Sequence, residues 1–368
     1  MITKVSFRSF KSLREVDIDF TSRLTVLVGP NASGKTSVLQ GISLAANLMA
    51  SPEAELLISQ TLVCKIPQST QPLSIQVFRK AADAQVSEIL AQLETRRFSV
   101  KGRPFTRTVL CSMEEPSPLL AELPSLAKAG PLYRFDLARL AKSAVLGKNK
   151  VTMDASGEGL GAVLADVATS DPLRFAQIIE ALRTVIPIVK QVRLLPVDVN
   201  VTVKTMDPVG DLTASTEVQR GYQLAFDLRG AERVPVEQVS EGTLLTLGWL
   251  TAVMAYEGRW LFLLDDIDRG LHPKAQRELV GILRKLLEQN PNYQIIATTH
   301  SPYLLDLLKP EEVRIVTAAE DGATLCGTLM EHPEFERWKD LMLPGEMWST
   351  VGEEWLRERR TKQHDVAQ

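Results

Sequence analysis

The sequence predicts an α/β fold: a mixed β-sheet with flanking helices, an antiparallel β subdomain and a helical lobe. Three observations support this prediction. An apolar run at 24–28 leads through a glycine-containing loop into residues at helical spacing. Two later apolar runs, at 260–265 and 293–299, are short and end in polar residues, which is typical of buried parallel strands. Segments that alternate between apolar and polar residues indicate further, half-buried strands.

The composition restricts the class of protein. A chain of 368 residues with 45% hydrophobic residues can form one large domain or two average ones. The net charge of −3 gives no global signal for nucleic acid or a membrane. Three cysteines (Cys64, Cys111 and Cys326) without a C-x-x-C or Cys/His cluster do not indicate a disulfide framework or a zinc site. With no signal-peptide pattern and no apolar run long enough for a bilayer, we expect a cytoplasmic protein without a membrane partner.

The individual elements follow from periodicity. Alternation or short apolar runs predict strands at 5–10, 16–20, 24–28, 73–79, 96–111, 191–203, 221–229, 260–265 and 293–299. Helical spacing predicts helices at 38–60, 131–146, 172–186, 243–256 and 273–289. Pro187 disfavours helix at the preceding residue, so the third of these helices is expected to end there. Because sustained heptads are missing, the long central insertion is expected to be globular.

Residues 29–36 read Gly-Pro-Asn-Ala-Ser-Gly-Lys-Thr, a complete G-x-x-x-x-G-K-[ST] phosphate-binding pattern. The strand before it and the helix after it are the setting in which backbone N–H groups and a helix N-terminus bind phosphate. Lys35 is expected to reach the β- and γ-phosphates, and Thr36 to bind Mg²⁺. An ordinary glycine turn is the alternative, but a chain this long matches the pattern by accident only about 1% of the time. The predicted nucleotide ligands are Gly29, Pro30, Asn31, Ala32, Ser33, Gly34, Lys35, Thr36 and Ser37.

Two carboxylates, Asp265 and Asp266, end the apolar strand at 260–265. Parallel α/β sheets place ligands at the carboxyl ends of their strands. Asp265 is therefore expected to hold Mg²⁺ beside Thr36, and Asp266 to orient or deprotonate the attacking water. The alternative for both carboxylates is a helix cap or a solvated loop.

Two further motifs become candidates for the nucleotide site because the chain contains a phosphate-binding loop. His300 follows the buried strand at 293–299, where it can contact the γ-phosphate or the water, although a lone histidine is more often structural. Ser240 is predicted to cap the helix that begins Ser240-Glu-Gly-Thr, with an acidic residue in its first turn. By itself this is a well-capped helix, but it also offers a second helix start for an anion.

In this order, the motifs at 29–37, 240–243, 263–273 and 298–302 resemble the ATP-binding-cassette (ABC) ATPases of the RecF, SMC and OLD type. The first residues, 2–13, are similar to the first strand and turn of that family. The resemblance implies an ABC-type ATPase head with ATP and Mg²⁺ as cofactors. The implied domains are an ATPase domain at 1–320 and a C-terminal extension at 321–368; the ATPase domain divides into a phosphate-loop lobe (1–110 and 257–320) and a signature lobe (111–256).

The resemblance also implies residue roles. Ser240 and Gly242 belong to the signature motif, which completes the nucleotide site of a second subunit, so a head-to-tail homodimer around two ATP molecules is implied. Asp265 matches the magnesium aspartate, Asp266 the catalytic carboxylate and His300 the switch histidine, while Lys35 holds the phosphates. Lys11 falls near a position where relatives often carry a basic residue close to the nucleotide.

The chain departs from the family at one position. Relatives usually have Glu where this chain has Asp266, and Asp is one methylene shorter. We therefore predict slow ATP hydrolysis or a role as an ATP-gated clamp, with Asp268 as a substitute base.

Partners are indicated less directly. OLD-type proteins carry a Toprim nuclease domain after the ATPase. Residues 301–368 are too few for that domain together with the remaining ATPase elements, so a separate effector such as a Toprim or HNH nuclease is expected. A basic stretch could bind DNA, or could form a charged hairpin that faces solvent. It comprises Arg96, Arg97, Lys101, Arg103 and Arg107 with Phe98 and Phe105.

The C-terminal segment is predicted to be a helix that docks a partner or packs on its own domain. Its residues at helical spacing are Trp348, Val351 and Trp355.

Three functions are consistent with these motifs. The favoured one is an ATPase that dimerises around ATP and gates a DNA-related or effector activity, as in anti-phage defence or DNA repair. A nucleotide-binding subunit of a membrane transporter is disfavoured by the long separation of phosphate loop and signature, and by the Gly-Leu-His-Pro segment after the carboxylates. An ATP-dependent scaffold that does not hydrolyse is kept open by Asp266.

Overall fold

The structure is a computed structural model that describes residues 1–50, 74–79, 88–100, 103–110, 130–146, 151–206 and 212–366. Its strands, in chain order, are β1 (Ile2–Phe10), β2 (Leu13–Asp19), β3 (Leu24–Val28), β4 (Ser74–Arg79), β5 (Glu88–Val100), β6 (Arg103–Leu110), β7 (Leu132–Tyr133), β8 (Ala144–Val145), β9 (Val189–Met206), β10 (Leu212–Leu228), β11 (Ala231–Pro235), β12 (Leu261–Leu264), β13 (Gln294–Thr299), β14 (Val313–Ala318) and β15 (Thr324–Thr328). Its α-helices are α1 (Lys35–Ala50), α2 (Leu137–Ala141), α3 (Leu160–Ser170), α4 (Pro172–Val185), α5 (Glu241–Met254), α6 (Pro273–Gln289), α7 (Pro302–Leu305), α8 (Phe335–Trp338), α9 (Pro344–Val351) and α10 (Glu354–Val366).

The chain divides into two compact units. The first comprises 1–132, 258–268 and 283–368, and the second comprises 133–257 and 269–282. The lobe boundaries inferred from the sequence stay a prediction. Within the described ranges, no helix is long and apolar enough to cross a membrane.

The main sheet of the first unit is mixed, in the order β15-β14-β3-β13-β12-β7. Strands β14, β3, β13 and β12 are parallel to one another, and β15 is antiparallel to β14. Every residue of β3, β12 and β13 is buried, which explains why these strands are apolar without alternation. Their carboxyl ends meet at one edge of the sheet, and the predicted site residues follow directly after them.

A five-stranded antiparallel sheet, in the order β2-β1-β4-β5-β6, also belongs to the first unit. The buried faces of β1 and β2 share one hydrophobic core with α1, to which Phe7, Ile18, Val38 and Ile42 contribute. This core fixes the helix that follows the phosphate-binding loop. Together with the helices, the two sheets confirm the predicted α/β class with a mixed sheet and an antiparallel subdomain.

The second unit combines helices α2 to α5 with a small antiparallel sheet. Strands β9 and β10 pair along a hairpin, and β10 also pairs with β8 and β11. Helix α5 is buried from Gly242 to Val253 because apolar and small residues cover all of its sides. The Trp249 ring lies 4.2 Å from that of Phe135, measured between centroids. This helix is therefore the core element of the unit.

Two predicted helices were wrong. Residues 131–146 hold two short strands around α2, whose first turn is capped by the Asp136 carboxylate. The single C-terminal helix is broken into α9 and α10 at Gly352, where φ is 64° and ψ is −155°, a conformation essentially restricted to glycine. Trp355 is buried against Gly327 of the same unit, so for this residue packing on its own domain is favoured over docking.

Some predictions fall outside the described residues. The first helix was predicted to reach residue 60, and α1 is described to Ala50. Cys64, Cys111 and Lys101 lie outside the described ranges, as do the side chains of the rest of the basic stretch, whose backbone forms β5 and β6.

Candidate nucleotide-binding site

The loop between β3 and α1 is shaped by close backbone contacts. Gly29 has φ of 152°, and a Cβ atom there would lie 1.8 Å from the Val316 carbonyl oxygen, so only glycine fits. Lys35 is buried, and its Nζ donates to the carbonyl oxygens of Gly29 (2.9 Å) and Pro30 (2.8 Å). Burial lowers the pKa of Lys35, while nearby carboxylates, first among them Asp266 and Asp265, oppose this shift. The loop thus holds the Lys35 ammonium group buried, with backbone carbonyl oxygens of the loop as its hydrogen-bond acceptors.

The Ser33 hydroxyl is the clearest unmet polar group of this loop. Its Oγ is buried and has no hydrogen-bond partner among the described residues. The Ser33 carbonyl oxygen, in contrast, accepts a hydrogen bond from Thr324 Oγ1 at 2.9 Å. A buried hydroxyl without a partner is costly, and a phosphate oxygen is an acceptor that would satisfy it. The residues present therefore fit a phosphate ligand.

Asp265 contacts the start of α1 and the end of β13 through hydroxyl groups. Thr36 Oγ1 donates to the Asp265 carboxylate, 3.0 Å from Oδ2, and Thr298 Oγ1 donates to Oδ1 at 2.7 Å. The carboxylate is only 2% exposed. A hydroxyl and a carboxylate in contact are the oxygen ligands that Mg²⁺ prefers, so this donor set fits the metal.

Asp266 adopts an unusual backbone conformation. Its φ of 57° lies in the left-handed region, which Asp tolerates better than most residues with a side chain. Its backbone N–H donates to Thr298 Oγ1 at 2.8 Å. The Thr298 hydroxyl therefore accepts from one of the two neighbouring aspartates and donates to the other.

His300 and Asp268 are connected through the end of β13. His300 Nε2 lies 3.8 Å from Asp266 Oδ1. The Asp268 Oδ1 atom accepts from Thr299 Oγ1 at 2.6 Å and from the His300 backbone N–H at 3.3 Å. Asp268 therefore positions the histidine, a role that its spacing in the sequence did not reveal.

The predicted signature residues belong to the second unit. Ser240 caps α5, as predicted: its Oγ accepts from the Thr243 N–H at 3.3 Å and lies 2.7 Å from Thr243 Oγ1. Glu241 in the first turn forms an ion pair of 2.6 Å with Arg269. Gly242, the next residue, is buried.

Sequence reasoning missed two side chains that the fold brings to the loop and strand ends. Thr298 and Thr324 contact the predicted site residues directly. Lys11, in contrast, contacts Gln40 on α1 and lies over the Phe10 ring, 5.6 Å from its centroid. A threonine at the end of a buried strand was the available signal for Thr298.

Two protein families match the chain. The family described as "AAA domain, putative AbiEii toxin, Type IV TA system" matches residues 153–306, and a family described as "AAA domain" matches residues 4–54. The matched ranges include the phosphate-binding loop, the signature segment and both later strand ends.

Curated relatives match at low identity. The Septu protein PtuA of Bacillus mycoides is 23% identical over 338 residues, which cover 87% of this chain and 41% of PtuA. The OLD nuclease of Thermus scotoductus is 22% identical over 356 residues (90% of this chain, 65% of the nuclease). RecF of Halalkalibacterium halodurans, a DNA replication and repair protein, is 25% identical over 200 residues (48% and 50%). The chain thus spans less than two thirds of the length of these relatives.

Among solved structures, an SMC head bound to the C-terminal winged-helix domain of ScpA matches with a TM-score of 0.56 at 16% identity. The match covers 91% of this chain and 99% of that head, and it shows the fold. The fold is that of an SMC-head-like α/β domain, and it carries the phosphate-binding loop and the strand-end carboxylates on its main sheet. The chain is similar to AAA- and ABC-type ATPases: RecF, OLD nuclease and PtuA match it in sequence, and SMC heads share its fold.

Proposed function

We propose that this protein binds ATP with Mg²⁺, hydrolyses it slowly, and uses the bound state to dimerise and gate a separate effector. The observation that supports it best is the cluster of Lys35, Thr36 and Asp265 beside the unpaired Ser33 hydroxyl. Thr36 and Asp265 would hold Mg²⁺, which supplies neutralisation of the charge that develops on the phosphate oxygens.

The residues around this cluster have distinct chemical tasks in the proposal. Lys35 exchanges its backbone carbonyl partners for phosphate oxygens, which compensates its burial. Asp266 accepts the proton of the attacking water, and His300 Nε2, 3.8 Å from the Asp266 carboxylate, orients the same water. The short Asp266 side chain limits this step, so turnover is slow.

Dimerisation follows from the signature segment. Ser240 and Gly242 start a helix in the second unit, and in the proposed head-to-tail dimer they meet the nucleotide of the partner subunit. The relatives suggest the setting: they include the Septu protein PtuA, a probable ATPase of a retron, OLD nuclease and the DNA replication and repair protein RecF. We propose a role in anti-phage defence or DNA repair for this chain. We propose a separate nuclease, of Toprim or HNH type, as the effector, with DNA as a further ligand, in the cytoplasm.

Replacing the proposed base tests this function. Asp266→Asn is expected to lower steady-state ATP hydrolysis by about 100-fold while ATP affinity is kept, because the mutation removes only proton transfer. With ATP, light scattering should then show a stable dimer. Asp340→Asn, at an exposed position away from the site, is the control.

Three outcomes would change the proposal. Equally fast hydrolysis by wild type and Asp266→Asn contradicts the role of Asp266. Wild-type hydrolysis at background level with an ATP-dependent dimer would instead identify a scaffold that does not hydrolyse. A protein that stays monomeric with ATP contradicts the dimer.

A further inference from the structure

The imidazole ring of His300 makes no hydrogen bond within the described residues. Its Nε2 atom lies 3.8 Å from Asp266 Oδ1, which is beyond hydrogen-bond distance, and the side chain is 38% exposed. The direction in which the ring points therefore depends on how the backbone is held on either side of His300.

The main sheet holds the chain before His300. All residues of β13, which ends at Thr299, are buried. The Asp268 carboxylate adds two contacts at the end of this strand, because its Oδ1 accepts from the Thr299 hydroxyl at 2.6 Å and from the His300 N–H at 3.3 Å. This side of the histidine is thus fixed by the sheet and by one carboxylate.

The chain after His300 forms α7, a single turn of four residues. Ser301 caps this turn, since its Oγ accepts from the Leu304 N–H at 3.3 Å. A helix of one turn is not stable by itself, because nucleation fixes several residues for one hydrogen bond. Contacts with other elements therefore have to hold α7 in place.

Helix α9 of the C-terminal extension makes such contacts with the end of α7. Asp306, the residue after α7, accepts at Oδ1 from the backbone N–H groups of Gly345 (2.8 Å) and Glu346 (3.2 Å). These groups lie in the first turn of α9, where N–H groups lack an acceptor within the helix and a negative charge is favourable. One carboxylate thus caps α9 and joins it to α7.

The beginning of α7 contacts the same turn of α9. A Cβ atom at Gly345 would lie 1.9 Å from the Pro302 carbonyl oxygen, so only glycine allows this approach. Pro302 is the second residue after His300. Both ends of α7 therefore contact α9, one through Pro302 and the other through Asp306.

We propose that Asp306 is a positioning residue for His300, and that the C-terminal extension serves ATP hydrolysis in this way. The inference rests on the proposed function, in which His300 orients the attacking water. Asp306 acts through α9 and α7 and does not contact the water itself. Loss of its carboxylate releases α7 from α9 and misplaces the imidazole ring, whereas the phosphate-binding loop keeps its own contacts.

Steady-state ATP hydrolysis by the full chain tests this role. Asp306→Ala is expected to lower kcat about tenfold and to change KM for ATP by less than about twofold, because a misplaced catalytic group slows the reaction without weakening ground-state binding. Asp306→Asn keeps an oxygen acceptor at the same position, so its kcat should stay within about threefold of the wild type. Gly345→Ala adds a methyl group against the Pro302 carbonyl oxygen and should act like Asp306→Ala; it replaces that variant if Asp306→Ala does not fold.

The matched control is Asp171→Ala in the second unit. Asp171 also binds a first-turn N–H group, that of Arg174 at 3.0 Å, in a helix that begins with proline. Both alanine variants should lower the unfolding temperature by a similar amount, since each removes a helix cap. Only Asp306→Ala should lower kcat.

The histidine ring can also be observed without nucleotide. The chain has four histidines, so their side-chain NMR signals can be assigned by replacing them one at a time. Asp306→Ala should shift or broaden the signals of His300 and leave those of His272, in the second unit, unchanged.

Three results would overturn the inference: wild-type kcat in Asp306→Ala, an equal loss of kcat in Asp171→Ala, or unchanged His300 signals. If the wild type does not hydrolyse ATP, the proposed function fails. The NMR spectra then decide separately whether Asp306 holds His300 in place.

Discussion

Helices α1 and α5 both begin at glycine-containing segments, but they satisfy their first turns in different ways. At α5, Ser240 provides the cap from its own side chain. At α1, the Ser33 hydroxyl has no partner in the described part of the chain, and Lys35 folds back onto carbonyl groups of its own loop. A helix start that caps itself is locally complete, whereas one that buries an unpaired hydroxyl and an ammonium group is built to receive an anion.

This difference indicates that the start of α5 serves stability and that the start of α1 serves function. The cap of α5 stabilises a helix that forms the core of the second unit. The loop before α1 holds a buried hydroxyl that has no partner among the described residues, and sites of this kind reduce stability in favour of function. Mutations at the start of α1 should therefore weaken ligand binding without lowering stability, whereas mutations at the start of α5 should lower stability.

The largest expected effect is on nucleotide affinity. Lys35→Ala should weaken ATP binding by about 100-fold, because charge-assisted hydrogen bonds to phosphate are lost. The unfolding temperature should not fall, since the mutation removes a buried, desolvated charge. Calorimetric binding and thermal unfolding measure both, with Lys274→Ala at an exposed position as the control. A large loss of stability would contradict the functional interpretation of α1.

A smaller effect, on ATP hydrolysis, is expected from Thr298, which contacts both aspartates. Thr298→Val removes the hydroxyl that donates to Asp265 and accepts from the Asp266 N–H. We expect ATP hydrolysis to fall about 10- to 100-fold, because supporting residues that orient metal ligands have effects of this size. Thr251→Val is the control, as its buried hydroxyl only bonds the Leu247 carbonyl oxygen within α5. Similar hydrolysis rates in both variants would refute a positioning role for Thr298.

The smallest effect tests the comparison directly. Ser240→Ala should lower the free energy of unfolding by about 1 kcal/mol, the usual cost of a lost helix cap. Ser33→Ala should leave it unchanged or raise it, because the removed hydroxyl is buried without a partner among the described residues. Chemical denaturation measures both variants. If Ser33→Ala destabilises as much as Ser240→Ala, the two helix starts are equivalent and the comparison fails.

The sequence predicted those parts of the fold that depend on local patterns. The apolar runs of β3, β12 and β13 identified buried parallel strands, and because such strands end at one sheet edge, the polar residues that follow them could be grouped into one site by sequence alone. Ser240 was predicted as a cap because N-capping is a local preference. The roles of Asp266, His300 and Ser240 in ATP hydrolysis stay predictions.

Tertiary contacts explain what the sequence did not predict. Thr298 reads as an ordinary strand residue, and only the parallel pairing of β12 with β13 places its hydroxyl between the two aspartates. The break between α9 and α10 arises at Gly352, and an isolated glycine in a helical pattern does not predict such a turn. The wrong helix at 131–146 has the same cause, since part of that segment pairs with distant strands.

The position of β3 has a consequence for how this protein is made. Strand β3, at 24–28, lies between β13 and β14, whose residues begin at 294 and 313. At about 5–20 residues per second, a ribosome needs roughly 15–50 s to supply these partners. During that interval, the most apolar N-terminal strand has neither of its neighbours in the sheet. The native main sheet therefore cannot form around β3 until the last quarter of the chain has emerged.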